Sequence, residues 1–191
     1  VGEQARGASR SLAELSAKVA GSRRGMARQT ADQARLRTEL SLFARELDAV
    51  SPNMELWIAV RTAYLDALVR AATQEVSQVV ILGAGFDTRA KRLARSGVRF
   101  FEVDAPPSLA ARHRRIALLP EYVSDAVTVS CDFETQDFVD QLCAVGFEPQ
   151  VPALIVWEGV SDYLSEGAVR GTLARVAQAL SPRTTIVFDR V

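Results

Sequence analysis

The stretch Val79-Val80-Ile81-Leu82-Gly83-Ala84-Gly85-Phe86-Asp87-Thr88-Arg89 constrains the fold more than any other part of the chain. Four consecutive apolar residues, most of them β-branched, run straight into Gly-Ala-Gly. A run of this kind closed by glycines predicts a strand buried on both faces. Thr88 to Arg95 then has helical composition, and Gly97 predicts its stop. Gly83 can take a turn conformation closed to other residues, and Gly85 lets a ligand approach the backbone. The helix start offers free N–H groups and the positive end of a dipole. Strand, glycine turn and helix together predict a small-molecule cofactor site at the mouth of a parallel sheet.

Gly-x-Gly alone does not choose the cofactor. The third glycine of a dinucleotide fingerprint would stand where Thr88 stands. Its absence, with the Asp87-Thr88-Arg89 that follows, turns the reading from a nicotinamide cofactor toward S-adenosylmethionine. A plain βα turn is the alternative. Asp87 and Arg89 also have a local reading, as an ion pair with each other.

Four further strands follow. Val98 to Asp104 ends in acids and is closed by Ala105-Pro106-Pro107. Glu102 and Asp104 fall on one side of it by period two. An acid about twenty residues after the glycine turn is placed to accept from ribose hydroxyls. Asp104, nearer the carboxyl end, is the favoured one, with a turn cap before Ala-Pro-Pro as the alternative. Ala126 to Phe133 is a third strand. There Asp132 is suited to an adenine amine with Phe133 against the ring, or equally to capping the turn. Val151 to Gly159 is a fourth, buried and ending at Glu158, and Thr184 to Asp189 is a fifth. Helices are expected over 108–119, 135–145 and 165–180, the second stopped by Gly146. Polar groups at the carboxyl ends of parallel strands line the binding crevice of a doubly wound fold.

Upstream, residues 1–24 read as a loose polar arm, 25–74 as a helical extension and 75–191 as the α/β part. Met26 to Leu47 has helical spacing, Ser51-Pro52-Asn53 breaks it, and a second helix runs from Met54 to Ala72. Arg61 shares the apolar stripe of Trp57, Tyr64 and Leu65. It either snorkels to water or is held against a ligand carboxylate. The basic run Arg112-His113-Arg114-Arg115 reads as a solvated helix face.

Hydrophobic residues make up 48% of the 191, enough for a sizeable core. The 23 basic and 23 acidic residues cancel, so overall charge does not point to nucleic acid. Cys131 and Cys143 are too few and too far apart for a disulfide framework or a zinc site, which fits a reducing cytoplasm. No apolar run reaches membrane-spanning length.

Three stretches together resemble the leucine carboxyl methyltransferase family, in its bacterial S-adenosylmethionine-dependent branch. They are Val79 to Arg89 with Leu93, Phe101 to Pro106 (FEVDAP), and Glu158-Gly159 with Tyr163-Leu164. Met26 to Ser41 and Arg61-Thr62 with Asp66 are weaker matches. The resemblance implies a class I methyltransferase fold, Rossmann-like and doubly wound, with an N-terminal helical extension. It implies S-adenosylmethionine as cofactor, its carboxylate gripped by Arg61 and its methionine part carried over Gly83, Ala84 and Gly85, next to Asp87 and Arg89. It further implies the ribose on Asp104 beside Glu102, the adenine by Asp132 and Phe133, and Glu158 near the methionine amino group. Ser161 and Asp162 depart from the apolar residues usual in the family.

The expected activity is methyl transfer to an oxygen of a small-molecule acceptor, such as a carboxylate, without an assured general base and without a metal. A non-catalytic cofactor-binding or interaction module is the second reading, and an NAD-dependent oxidoreductase the third. The fold's sixth and seventh strands are missing from the sequence. A C-terminally truncated core is therefore expected, whose fifth strand is an exposed edge inclined to self-association.

Overall fold

A computed structural model describes residues 53–189 except Pro120 and Tyr122, together with Ala34 and Thr38. The arm expected over 1–24 lies outside the described residues. Of the helix expected over 26–47, only Ala34 and Thr38 are described, and both are helical. The chain divides into two compact units, 1–55 and 56–191. The second holds the sheet.

Five parallel strands make that sheet: β1 (Gln78–Leu82), β2 (Arg99–Asp104), β3 (Val127–Ser130), β4 (Ala153–Trp157) and β5 (Thr185–Phe188). Their spatial order is β3-β2-β1-β4-β5. The chain thus steps outward from β1 on one side, then returns to its other side. The crevice where the order reverses lies between β1 and β4, and in doubly wound sheets ligands bind there, at the strands' carboxyl ends.

Helices α1 (Met54–Ala72), α2 (Arg89–Arg92), α3 (Pro106–Ile116), α4 (Phe138–Ala144) and α5 (Glu166–Ala179) cover the sheet. Successive β1 residues point to opposite faces, so each face needs its own apolar cover. Val79 and Ile81 pack with Leu154, Val156 and Phe100 against Leu65 and Val69 of α1. Val80 and Leu82 pack with Ile155, Trp157 and Phe101 against Phe138, Leu142 and Val176 of α4 and α5. All five residues of β1 and all five of β4 are buried, which is why Val79–Leu82 and Ala153–Trp157 are unbroken apolar runs. Each such side chain contributes roughly 1.5–3 kcal/mol by leaving water.

Three of the boundaries that differ from expectation have a clear local cause. The helix after the glycine turn makes one turn, Arg89–Arg92, instead of running to Arg95. Beyond Leu93 it has nothing to bury, since Ala94, Arg95 and Ser96 are exposed, and a short helix without a buried face is marginal. Pro106 and Pro107 open α3 rather than only closing β2, because proline's missing N–H costs nothing in a first turn. Asp137 delays α4 to Phe138: its Oδ1 accepts the N–H groups of Val139 and Asp140 at 2.9 and 3.4 Å.

Candidate cofactor site

The loop after β1 is held by backbone hydrogen bonds and by the side chains of Asp104 and Arg112. Gly83 and Gly85 have φ of +67° and +45°, a region disfavoured for residues with a Cβ. At Gly83 a Cβ would also lie 2.2 Å from Cγ2 of Val160, so the loop and the segment after β4 touch at a point only glycine fits. The N–H groups of Gly83 and Ala84 donate to the Val103 carbonyl at 2.8 and 3.0 Å. Asp104, at the tip of β2, accepts the Gly85 N–H on Oδ2 and the Ala105 N–H on Oδ1, both at 2.7 Å. The favoured acid of β2 is thus bonded to the glycine loop and also caps the turn into α3.

Arg112 holds the same loop from below. Its Nη1 donates to the carbonyls of Gly85 and Asp87 at 2.9 and 2.7 Å, and its Nη2 to Glu102 Oε1 at 2.5 Å. Arg112 is buried, which corrects its expected place on a solvated face; His113, Arg114 and Arg115 are exposed as expected. Burial raises the Glu102 carboxyl above its usual range and Arg112 only partly offsets this, with the Asp87 carboxylate adding to the rise.

Arg61, Arg89 and Glu158 form the wall opposite. Arg61 Nε donates to Glu158 Oε1 at 2.7 Å and Nη1 to Asp189 Oδ2 at 2.5 Å. Its guanidinium lies 5.5 Å from the Trp57 ring centroid. Arg61 therefore does not snorkel; it is held by two carboxylates at the ends of β4 and β5. Arg89, only 3% exposed, donates to Asp66 Oδ1 at 2.9 Å, Asp87 Oδ2 at 2.6 Å and Glu158 Oε2 at 2.5 Å. The local Asp87–Arg89 pair is real, but it belongs to a larger cluster. Burial would depress Arg89, yet Asp87 and Glu158 together hold its pKa above the usual value. Burial would likewise raise Asp66, but hydrogen bonds and charge from Arg92 and Arg89 outweigh it and hold that carboxyl below its usual range.

Between these walls opens a cavity of about 370 Å³. Arg61, Gly83, Ala84, Gly85, Asp87, Arg89 and Glu158 all line it, so seven of the expected residues meet around one space. Asp104 reaches it through Gly85. Glu102 lies behind the loop on Arg112. Asp132 and Phe133 do not line the cavity. Asp132 accepts the Glu134 N–H at 3.0 Å and the Thr135 hydroxyl at 3.1 Å, the turn-closing arrangement, and Phe133 packs half-buried on the core. Burial, with Asp132 and Asp137 nearby, pushes the Cys131 thiol up to about 11, so it holds almost no thiolate at neutral pH.

Three participants were not singled out by the sequence reading: Arg112, Arg92 and Asp189. Arg112 had a signal, since it shares a helix face with the buried Leu109 and the half-buried Ile116, three residues before it and four after. Arg92, which pairs with Asp66, and Asp189, which reaches Arg61 across the sheet, depend on tertiary contacts without local periodicity.

This sheet order, with a glycine loop after β1 and an acid at the tip of β2, is that of a doubly wound cofactor-binding fold, and its likeness to a solved methyltransferase places it in the class I methyltransferase fold. A crystal structure of a candidate methyltransferase from Thermobifida fusca YX superposes with a TM-score of 0.59 at 19% identity, covering 78% of this chain and 58% of that one. Residues 12–177 match the model of the leucine carboxyl methyltransferase family, and the chain belongs to that family. A protein of Parafrankia sp. (strain EAN1pec), named as a candidate S-adenosyl-L-methionine-dependent methyltransferase, is 34% identical over 148 residues, 75% of this chain and 47% of its own length. One of the same description from Streptomyces coelicolor is 39% identical over 129 residues, 63% of this chain and 44% of its own length. The chain thus spans about half the length of the curated relatives it matches. Among the described residues no helix is long and apolar enough to cross a membrane.

Proposed function

We propose that this chain carries the cofactor-binding core of an S-adenosylmethionine-dependent methyltransferase that acts on an oxygen, such as a carboxylate, of a small-molecule acceptor. One observation carries the reading. The loop bonded to the tip of β2 and the Arg61–Glu158 pair face each other across one cavity at the sheet's switch point. The residues fit the cofactor. The space that a Cβ at Gly83 would fill is closed by Val160, so the loop's backbone, not a side chain, forms the floor. A guanidinium and a carboxylate side by side, Arg61 and Glu158, suit a ligand bearing both a carboxylate and an ammonium group.

In this reading Arg61 takes the ligand carboxylate in competition with Asp189. Glu158, fixed by Arg61 and Arg89, receives the ammonium group. Asp104 keeps the loop in place and offers lone pairs to ribose hydroxyls. Asp132 and Phe133, which stand outside the cavity's lining, are assigned to the adenine only as the family resemblance implies. S-adenosylmethionine, when bound, supplies a methyl group on a sulfonium. The chain's part is alignment and exclusion of water, which for a transfer of this kind accounts for much of the rate. The free cysteines Cys131 and Cys143 suit a reducing, cytoplasmic setting. Self-association through β5 belongs to the proposal as well: among the described residues β5 pairs only with β4, and Phe188 on it is exposed.

Titration calorimetry with S-adenosylmethionine and, separately, NAD tests the cofactor. Binding of the first alone is expected, and binding of NAD alone would reverse the assignment. Methyl-transfer assays with carboxylate and hydroxyl acceptors test the oxygen reading, which transfer only to nitrogen would overturn. Light scattering on the purified chain reads self-association, and a stable monomer would remove it.

A further inference from the structure

The Gly83–Asp87 loop is fixed by the Val103 carbonyl, by the Asp104 carboxylate and, from below, by the Arg112 guanidinium. Arg112 is 5% exposed. It ties two loop carbonyls, those of Gly85 and Asp87, to the buried Glu102. The Gly85 N–H is held from the other side by Asp104. Gly85 is thus clamped at both ends of its peptide, its N–H by a carboxylate and its carbonyl by a guanidinium.

We propose that Arg112 is a positioning residue for cofactor binding: through the Gly85 and Asp87 carbonyls it sets the loop that forms the floor of the site. The inference rests on the reading that this loop binds S-adenosylmethionine. Arg112 touches the loop's carbonyls and Glu102 and acts through them. A guanidinium is suited to this task because its planar fork reaches two carbonyls and a carboxylate at once, whereas an ammonium is a single point charge. Glu102 supplies the counter-charge that lets the guanidinium stay buried. Without Arg112 the Glu102 carboxyl, already raised by burial, has no cation against it and takes up a proton more readily.

The test separates positioning from mere stability. Arg112→Met leaves Glu102 buried and unpaired, and both stability and binding fall. Arg112→Met with Glu102→Gln removes that stranded charge, so the melting temperature recovers toward the wild type. The two loop carbonyls remain unheld, and affinity for S-adenosylhomocysteine, measured by calorimetry, is expected to stay about tenfold or more below the wild type. Arg112→Lys, which keeps a donor for the carbonyls, is expected to recover part of that affinity. A double variant with wild-type affinity overturns the inference, as does an Arg112→Lys that binds no better than the double variant at equal stability. If the wild type itself binds no S-adenosylhomocysteine, the cofactor reading fails instead.

Discussion

Replacing Arg89 by Met keeps much of the side chain's bulk and removes its charge. Arg89 is almost fully buried and serves Asp66, Asp87 and Glu158, whose side chains are 8, 12 and 14% exposed. After the change Asp66 keeps Arg92, and Glu158 keeps Arg61. Asp87 loses the guanidinium and keeps only the Arg89 backbone N–H, at 2.6 Å. Breaking a buried pair by removing one partner costs about 3–5 kcal/mol, because the charge left behind stays desolvated. For a chain of this size that is a fall in melting temperature of roughly 6–20 °C, at about 2–4 °C per kcal/mol. Urea denaturation at pH 7, followed by circular dichroism, measures it directly. Adding Asp87→Asn neutralises the carboxylate left without a cation, so the double variant should be more stable than Arg89→Met alone, a non-additivity that marks direct coupling. A loss below about 1 kcal/mol, the value for a solvated surface pair, would refute the claim that the cluster is a desolvated unit.

Three other outcomes follow from the same geometry. Arg61→Ala should weaken S-adenosylmethionine binding by about 1.5–3 kcal/mol, the range for a hydrogen bond to a charged group; unchanged affinity in a folded protein would leave Arg61 only its ion pairs with Glu158 and Asp189. Gly83→Ala meets both a φ of +67° and Val160 at 2.2 Å, whereas Gly85→Ala meets a φ of +45° and only an ordinary contact with the Gly83 carbonyl oxygen at 3.8 Å. The second should cost about 1–2 kcal/mol of backbone strain and the first clearly more; equal losses on urea denaturation would show that the Val160 contact relaxes freely. Asp66, held below its ordinary 3.8 in the fold, contributes stability that is present above that value and lost as pH falls through its lower folded value. Asp66→Asn should therefore be destabilised at pH 7, and its deficit should shrink on acidification below 3.8; a deficit independent of pH would mean that the charge is not what matters.

The strands were legible because burial on both faces leaves a strong trace: Val79–Leu82 and Leu154–Trp157 are nearly pure apolar runs, and both appear as fully buried strands. Edge strands leave a weaker one, and β3 is shorter than its sequence suggested, four residues from Val127 to Ser130. The site was legible where a residue's position in its own element determines its place. Gly83, Gly85, Asp104 and Glu158 all sit at strand ends, and a parallel sheet brings strand ends together whatever its detailed packing. It was not legible where charges settle one another across elements. Arg112 stands in a run of four cationic or titratable side chains, and composition there speaks for water. What decides its burial is Glu102, ten residues away on a strand that itself needed a partner for a buried carboxylate. Each residue alone is costly inside, and only as a pair, with two loop carbonyls to complete the guanidinium's donors, do they belong there. The same holds for Asp66 and Arg89, 23 residues apart on α1 and α2. Charge on an apolar stripe, at Arg61, Asp66 and Arg112 alike, was the one available sign. In this protein it marks the elements that converge on the glycine loop.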